Sequence, residues 1–308
     1  MVVRPRVPTE RRSSKRRRSG SVAFLRRRPR AGSVWWLVAL ALALLGACTS
    51  KKMSAGNWQC QVEGETSDGG ASDGGASQGP QPTDPVTVPW STSFEDGFCG
   101  YEKVAGFCYG DSLYVVVTDH HHGGHVAAEF KVIGGAQNQT RCVRQGVFPE
   151  SAYYGAWYLI PEALTEAPSP WNLWHFTGGD GPNQVLPGLW DVSLVKGAQA
   201  GDWELVVKDP LAPANEGTYR SADHKRIPIG SWFHIELFLK RATDASGKIA
   251  LYQDGVLLFE QANLKSDASK FTQWYVGDWA ESATPANSSL YVDDVSISAT
   301  LAPTPATP

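Results

Sequence analysis

Between residues 89 and 300 the chain is a series of short β-rich runs separated by Gly, Pro, Asp and Asn. No stretch of a dozen residues there has a convincing helical period. Such a pattern in about 210 residues predicts an all-β sandwich of two stacked antiparallel sheets. The eleven clearest runs are Leu113–Val117, Val126–Val132, Ala152–Ile160, Trp171–Phe176, Leu189–Val195, Trp203–Val207, Trp232–Arg241, Lys248–Gln253, Val256–Phe259, Phe271–Val276 and Leu290–Ser298.

The run Ser231–Arg241 shows how a strand of this sandwich is laid out. Successive side chains on a strand point to opposite faces, so the run divides into two sets. One set is entirely apolar and is predicted to lie between the sheets: Phe233, Ile235, Leu237 and Leu239. The other set mixes aromatic, imidazole and ionic groups and is predicted to face outward: Trp232, His234, Glu236, Phe238 and Lys240.

The N-terminal region has the composition of a targeting segment. A basic run ends at Arg30, and a fourteen-residue apolar run follows, Val34–Ala47. A helix of that length rises about 21 Å, short of a bilayer core of roughly 30 Å, which is typical of a secretory signal rather than a permanent span. Leu45-Gly46-Ala47-Cys48 resembles the lipobox of bacterial lipoproteins. The resemblance implies a lipidated Cys48 and a location on the cell membrane or outer membrane, facing the periplasm or the cell exterior; an ordinary signal peptide is the alternative.

These features divide the chain into four segments. We predict a signal peptide over 1–47, a flexible Gly/Ser/Asp/Pro-rich tether over 48–88, the sandwich over 89–300 and a disordered tail over 301–308. Residues 1–34 hold twelve basic residues and one acid, which leaves 16 basic and 30 acidic residues elsewhere, a net charge of −14. This balance excludes a basic, nucleic-acid-binding body.

Four segments of the sandwich follow one another as in concanavalin-A-like jelly rolls: Pro228–Glu236, Gly247–Gly255, Trp274–Gly277 and Leu290–Ile297. Within that group the chain most resembles the polysaccharide-lyase branch, which includes heparin- and alginate-lyase-like domains. The resemblance implies a jelly roll over roughly residues 90–299. It leaves the activity open, because this fold carries lectins, lyases, hydrolases and adhesion modules.

Three functions follow from the resemblance. The first prediction is a carbohydrate-binding lipoprotein that recognises a polysaccharide, with binding residues Trp157, Trp174, His234, Glu236 and Trp279. A polysaccharide lyase is the alternative, and a structural surface module is the third. A glycoside hydrolase is disfavoured, because the Glu-x-Asp-x-x-Glu and Glu-x-Asp-x-Glu strings of hydrolases with this fold are absent.

A lyase needs a group that neutralises the uronate carboxylate, a base for the C5 proton and an acid for the leaving oxygen. The resemblance assigns neutralisation to Arg144, with Asn172 as an alternative, and the base to His175. Tyr154 or Tyr275 is then the acid. Two features argue against a lyase: Asp278 would repel a uronate, and the net charge of −14 disfavours a polyanion.

Cys48 aside, four cysteines remain, and they allow three disulfide pairings. We favour Cys99–Cys108, which are close in sequence, together with Cys60–Cys142. A histidine-rich stretch, 120–125, is more typical of a surface turn than of a metal site. No cofactor is required, but Glu95, Asp293 and Asp294 resemble the segments that bracket a structural calcium in related jelly rolls, and carboxylate oxygens suit that ion.

Overall fold

The computed structural model describes residues 53–54, 60, 81–110, 113–132, 138–162, 171–179, 188–209, 212, 217–266, 269–280 and 288–303. Sixteen strands and one short helix lie along these residues. They are β1 (Met53–Ser54), β2 (Trp90–Thr92), α1 (Cys99–Glu102), β3 (Phe107–Gly110), β4 (Tyr114–Val117), β5 (Ala127–Val132), β6 (Asn138–Gly146), β7 (Ser151–Leu159), β8 (Trp171–Gly179), β9 (Gly188–Lys196), β10 (Trp203–Lys208), β11 (Thr218–Arg220), β12 (Trp232–Lys240), β13 (Gly247–Gln253), β14 (Val256–Leu264), β15 (Phe271–Ala280) and β16 (Ser288–Ser298).

The strands form two antiparallel sheets. The nine-stranded sheet has the order β1-β4-β5-β16-β7-β12-β13-β14, and β2 pairs with β16 outside this path. The seven-stranded sheet has the order β11-β10-β9-β8-β15-β6-β3. The predicted all-β sandwich is confirmed, and each of the eleven predicted runs overlaps an observed strand. β1, β2, β3 and β11 were not among those runs, and β6 was expected only from the resemblance.

The core lies between the two sheets. On β12, the four apolar side chains that alternate along the strand are all buried, as predicted from their spacing. Aromatic rings of the two sheets also meet there: the ring of Tyr154 on β7 lies 5.2 Å from that of Phe176 on β8 and 5.2 Å from that of Trp274 on β15. Burying side chains of this size stabilises the fold by about 1.5–3 kcal/mol each. The side chains of the inner faces therefore pack in the core, and a functional site is expected on an outer face.

The cysteine pairing differs from the prediction. The disulfides are Cys60–Cys99 and Cys108–Cys142, so both predicted pairs were wrong. The reason is strand register: β3 pairs with β6, and Cys108 lies directly opposite Cys142, with 4.0 Å between their Cα atoms. Nearness in sequence had favoured Cys99 as the partner of Cys108, but Cys99 lies on α1 and bonds Cys60 instead.

Packed structure begins before the predicted boundary at residue 89. Val86 is buried in the core, and its amide donates a hydrogen bond of 2.9 Å to the carbonyl of Val147. Cys48 and the predicted signal peptide before it, residues 1–47, lie outside the described residues. No helix in the described part of the chain is long and apolar enough to cross a membrane.

Candidate functional site

The outer face of the seven-stranded sheet carries a cavity of about 370 Å³, which we call the groove. Five neighbouring strands contribute side chains to it, from β3 at one side to β9 at the other. Because adjacent strands are about 4.8 Å apart, these side chains lie within reach of one sugar ring and its neighbours. The lining residues are Tyr109, Gln139, Arg141, Asn172, His175, Asp191, Tyr275 and Trp279.

A β-bulge on β8 brings two of these residues to the same face. Asn172 and His175 are three positions apart, so a regular strand would point them to opposite faces. The pairing of β8 with β9 shifts register between Asn172 and Trp174, which leaves Leu173 as an extra residue. Leu173 and Trp174 are both fully buried, and Asn172 and His175 both line the groove.

His175 is held by a carboxylate. It lies directly opposite Asp191 in the pairing of β8 with β9, and its Nδ1 is 2.5 Å from Asp191 Oδ1. A carboxylate only accepts hydrogen bonds, so we assign the hydrogen to Nδ1. The neutral ring then keeps a lone pair on Nε2, the atom that a general base requires. On the other side of β9, Lys208 of β10 lies directly opposite Asp191 in the strand pairing.

Arg141 and Asn172 form a second pair in the groove. Arg141 is only 5 % exposed, and its Nη2 donates a hydrogen bond of 2.7 Å to Asn172 Oδ1. Burial lowers the pKa of the Arg141 guanidinium, whereas the nearby Asp191 and Asp278 act in the opposite direction. Its Nε has no hydrogen-bond partner among the described residues. The pair therefore offers N–H groups to an anion.

Tyr275 lies beside the imidazole. It is directly opposite His175 in the pairing of β15 with β8, with 5.5 Å between the ring centroids. Its hydroxyl donates a hydrogen bond of 2.7 Å to Gln273 Oε1. Burial raises the pKa of the Tyr275 phenol, which keeps the proton on its oxygen at neutral pH. Tyr275 is thus placed to give up a proton rather than to take one.

Asp278 does not line the groove, contrary to the expectation that it would repel an anion there. It is fully buried, and neither of its carboxylate oxygens has a partner among the described residues. Burial raises the pKa of Asp278 to about 8, although Arg141 lowers it in part. At pH 7 this group is mostly neutral, so Asp278 offsets little of the positive charge of Arg141, and the acid that still acts on the guanidinium is Asp191.

Two of the four predicted lyase residues lie away from the groove. Arg144, predicted to neutralise the uronate, lies on the inner side of β6 with Cys142, whose side chain packs in the core cluster. Arg144 Nη1 donates a hydrogen bond of 2.7 Å to the carbonyl of Val104. Tyr154 is fully buried between the sheets, as described above. His175 and Tyr275 are brought together in the groove.

The five predicted sugar-binding residues are divided among three places. Trp279 lines the groove, whereas Trp174 is buried, with its Nε1 donating to the hydroxyl of Tyr158. Trp157, His234 and Glu236 lie on the nine-stranded sheet, on the side away from the groove; the prediction of a single face was therefore wrong. Both oxygens of Glu236 accept the amide N–H of Ala302, at 3.0 and 3.3 Å.

The three predicted calcium ligands surround the histidine-rich loop. Asp293 Oδ2 accepts the amides of His122 and Gly123 at 2.9 and 3.1 Å, and Glu95 Oε1 accepts that of His125 at 2.6 Å. Asp294 Oδ2 lies 2.8 Å from His122 Nδ1. These oxygens face N–H groups, whereas calcium requires a shell of oxygen ligands. The three acids thus bond one loop, but among the described residues their carboxylate oxygens do not form a cluster within 4.8 Å of one another, and calcium binding itself stays a prediction.

Sequence reasoning missed Arg141 and Asp191. Arg141 is one residue before Cys142, and recognising Cys142 as an inward-facing disulfide cysteine would have turned Arg141 outward. Asp191 precedes the buried Val192 on β9 and carries no motif. Its role became visible only when strand register placed it opposite His175.

No protein-family model matches the chain, and no curated protein matches it. Among solved structures, an endo-β-1,4-glucuronan lyase from the fungus Trichoderma reesei is similar with a TM-score of 0.52 and 17 % identity, over 63 % of this chain and 90 % of that one. An alginate lyase from Aplysia kurodai has a TM-score of 0.49 and 13 % identity, over 71 % of this chain and 100 % of that one. The chain is thus similar to polysaccharide lyases in its sandwich of two antiparallel sheets, and at these identities the likeness is one of fold alone.

Proposed function

We propose that this protein is a polysaccharide lyase that cleaves a uronate-containing glycan by β-elimination. One observation carries the proposal: a single groove holds a carboxylate-bound imidazole, a protonated phenol and a guanidinium–amide pair. These are the three kinds of group that the reaction needs. That a glucuronan lyase has a similar fold supports the choice of a uronate substrate.

The reaction begins with binding of the uronate carboxylate by Arg141 and Asn172. Their N–H groups neutralise the carboxylate charge and so acidify the C5–H bond next to it. His175 Nε2 then takes the C5 proton, and the electron pair of that bond forms a double bond between C4 and C5. The C4–O4 bond breaks, and the departing O4 takes the proton of the Tyr275 hydroxyl. The products are an unsaturated uronate and a new chain end.

Asp191 acts in this scheme as a positioning residue. Its carboxylate accepts the Nδ1 hydrogen of His175, which fixes the ring tautomer and stabilises the imidazolium that forms when Nε2 is protonated. It touches no reacting atom itself. Lys208, directly opposite Asp191, adds a positive charge on the same face, which offsets the negative net charge of the body locally.

The test is incubation of the full-length protein with glucuronan, alginate and heparin, followed by ultraviolet absorbance of the unsaturated uronate. We expect product from at least one polymer and loss of that product in His175→Gln. The matched control is His121→Gln, at an exposed histidine that does not line the groove, which should keep wild-type activity. Binding of these polymers without any unsaturated product would contradict the lyase and would support carbohydrate recognition without catalysis.

We also propose that the protein acts from a membrane surface through lipid on Cys48. The support is the apolar run that ends in Leu45-Gly46-Ala47-Cys48. One acyl chain binds a bilayer only marginally, so stable anchoring requires the several chains that bacterial lipoproteins carry. Growth with an alkyne fatty acid should label the wild type, and equal labelling of Cys48→Ala would refute the assignment.

A further inference from the structure

The outer face of the nine-stranded sheet carries a second cavity, of about 800 Å³, which we call the outer cleft. Trp157 on β7, His234 on β12 and Ser296 on β16 line it, and Ala302 and Pro303 close one end. The groove lies on the other sheet, so no residue of the proposed lyase mechanism contributes to the outer cleft. The residues that line the outer cleft therefore need an explanation of their own.

His234 is the first sign of a ligand. The residue is 6 % exposed, and neither of its ring nitrogens has a hydrogen-bond partner among the described residues. Burial lowers the pKa of His234 to about 4, so the ring is neutral at pH 7 and offers one donor and one acceptor. The ring nitrogens are not sealed in the core, and the residue lines the outer cleft, so a ligand there could accept from one nitrogen and donate to the other.

Gly155 is the second sign. It lies in the middle of β7, opposite Glu236 on one side and Ser296 on the other, and it does not have a positive φ. A Cβ there would lie 3.1 Å from both His234 Nε2 and Ser296 Oγ. The glycine thus provides the space that the His234 and Ser296 side chains occupy, and its missing Cβ lets these two lining groups pack against the β7 backbone.

The lining of the outer cleft decides the class of ligand. The described lining residues include three acids, Glu95, Asp96 and Asp294, and no Lys or Arg, which excludes an anion such as a uronate. Each acid already has a partner: Asp96 pairs with Lys103 at 3.1 Å, Asp294 Oδ2 lies 2.8 Å from His122 Nδ1, and Glu95 accepts backbone amides. A second carboxylate oxygen of each acid has no partner among the described residues.

Hydroxyl groups and an aromatic wall complete the lining. Ser91, Thr92, Ser93 and Ser296 supply hydroxyls that donate or accept as a ligand requires. The indole of Trp157 is fixed by stacking on the His122 ring, with 3.6 Å between centroids, and it gives the outer cleft an apolar side. Free acceptor oxygens, hydroxyls, a neutral imidazole and an indole together match the many hydroxyls and the C–H faces of a sugar.

We propose that the outer cleft is a second, non-catalytic binding site for a neutral oligosaccharide. Its chemistry is opposite to that of the groove, where the guanidinium of Arg141 favours an anionic sugar. The protein would then hold a neutral glycan on one sheet while the other sheet faces a uronate. Binding at the outer cleft does not depend on whether the groove is catalytic.

The test is calorimetric titration of the full-length protein with cellohexaose, xylohexaose, mannohexaose, a chitosan hexamer and a glucuronate oligomer, all with EDTA present. We expect at least one neutral hexamer to bind, with affinity at least tenfold weaker in Gly155→Ala and His234→Gln and unchanged in His175→Gln. Binding of the chitosan hexamer alone would overturn the neutral class. Failure of every neutral hexamer to bind, or loss of binding in His175→Gln, would overturn the site.

A second measurement protects the test against variants that fail to fold. In the wild type, the indole N–H resonance of Trp157, assigned through Trp157→Phe, should shift on addition of the bound hexamer. The indole resonance of Trp279 in the groove should not move. A shift of Trp279 alone would place the hexamer in the groove and contradict the proposal.

Discussion

The polar side chains on the outer faces of the two sheets have different kinds of hydrogen-bond partners. In the groove, polar groups from different strands meet: Arg141 on β6 bonds Asn172 on β8 across the intervening β15, and His175 bonds Asp191 on the adjacent β9. In the outer cleft, the acids bond a loop and Lys103, and the ring of His234 has no hydrogen-bond partner among the described residues. Cross-strand pairs fix side chains in one geometry, which suits chemistry, whereas an unpartnered group suits binding.

Among the substitutions that test this comparison, Tyr275→Phe should reduce the activity most. Tyr275→Phe removes the proton that the departing oxygen needs, and we expect kcat to fall by about 10²–10⁴, the usual contribution of general acid catalysis. The ring and its packing remain, so the melting temperature should hardly change. The matched control is Tyr252→Phe on the nine-stranded sheet, which should keep full activity. Equal losses in the two variants would remove the distinction between the faces.

A change in the His175–Asp191 pair should have the next largest effect on activity. Asp191→Asn keeps the shape but can no longer accept the Nδ1 hydrogen through a charged oxygen, and we expect kcat to fall about 10- to 100-fold with little change in KM. Nitrogen NMR should show that the hydrogen of His175 is redistributed between Nδ1 and Nε2. Asp202→Asn, which alters an exposed pair with Arg226, is the control. An unchanged tautomer together with unchanged kcat would exclude the positioning role.

Asp278 offers a test of stability rather than activity. Its pKa is raised by burial to about 8 in the fold, so its contribution to stability is complete below about pH 4 and is lost as the pH rises towards 8. Asp278→Asn cannot ionise, and we expect it to increase the free energy of unfolding at pH 8 by a few kcal/mol, on the order given by such a shift.

Urea unfolding at pH 5 and pH 8 checks this expectation. The gain in Asp278→Asn should be larger at pH 8 than at pH 5, since the wild type loses stability between them. The exposed Asp244→Asn serves as the control and should show no comparable gain. A gain that is the same at both pH values would mean that the carboxyl of Asp278 does not titrate in this range.

Calcium gives the smallest expected effect. An ion that binds only the folded protein stabilises it according to its concentration relative to Kd, by about 2.7 kcal/mol at one hundred times Kd. We expect the melting temperature to rise with added calcium and this rise to vanish in Asp293→Ala but not in Asp244→Ala. No rise in the wild type would mean that the loop amides alone satisfy Glu95, Asp293 and Asp294.

Local patterning accounts for what could be predicted of the fold. The alternation along Ser231–Arg241 identified the inward side chains of β12, because exclusion of apolar groups from water acts on every strand in the same way. It could not say whether the outward His234 and Glu236 would share a face with His175. Outward residues look alike in sequence whichever sheet carries them, and the order of strands within the sheets decides which of them become neighbours.

The sequence alone determined that this chain forms strands and which side chains of β12 turn inward. It offered His175 and Tyr275 as candidates together with Arg144 and Tyr154, and only the first two line the groove. Only the tertiary structure decided the disulfide pairing, the bulge at Leu173 that turns Asn172 and His175 to one face, and the contact of His175 with Asp191. The physical reason is register: a shift of one residue reverses the face of every side chain, and register is set by pairing between strands far apart in the chain.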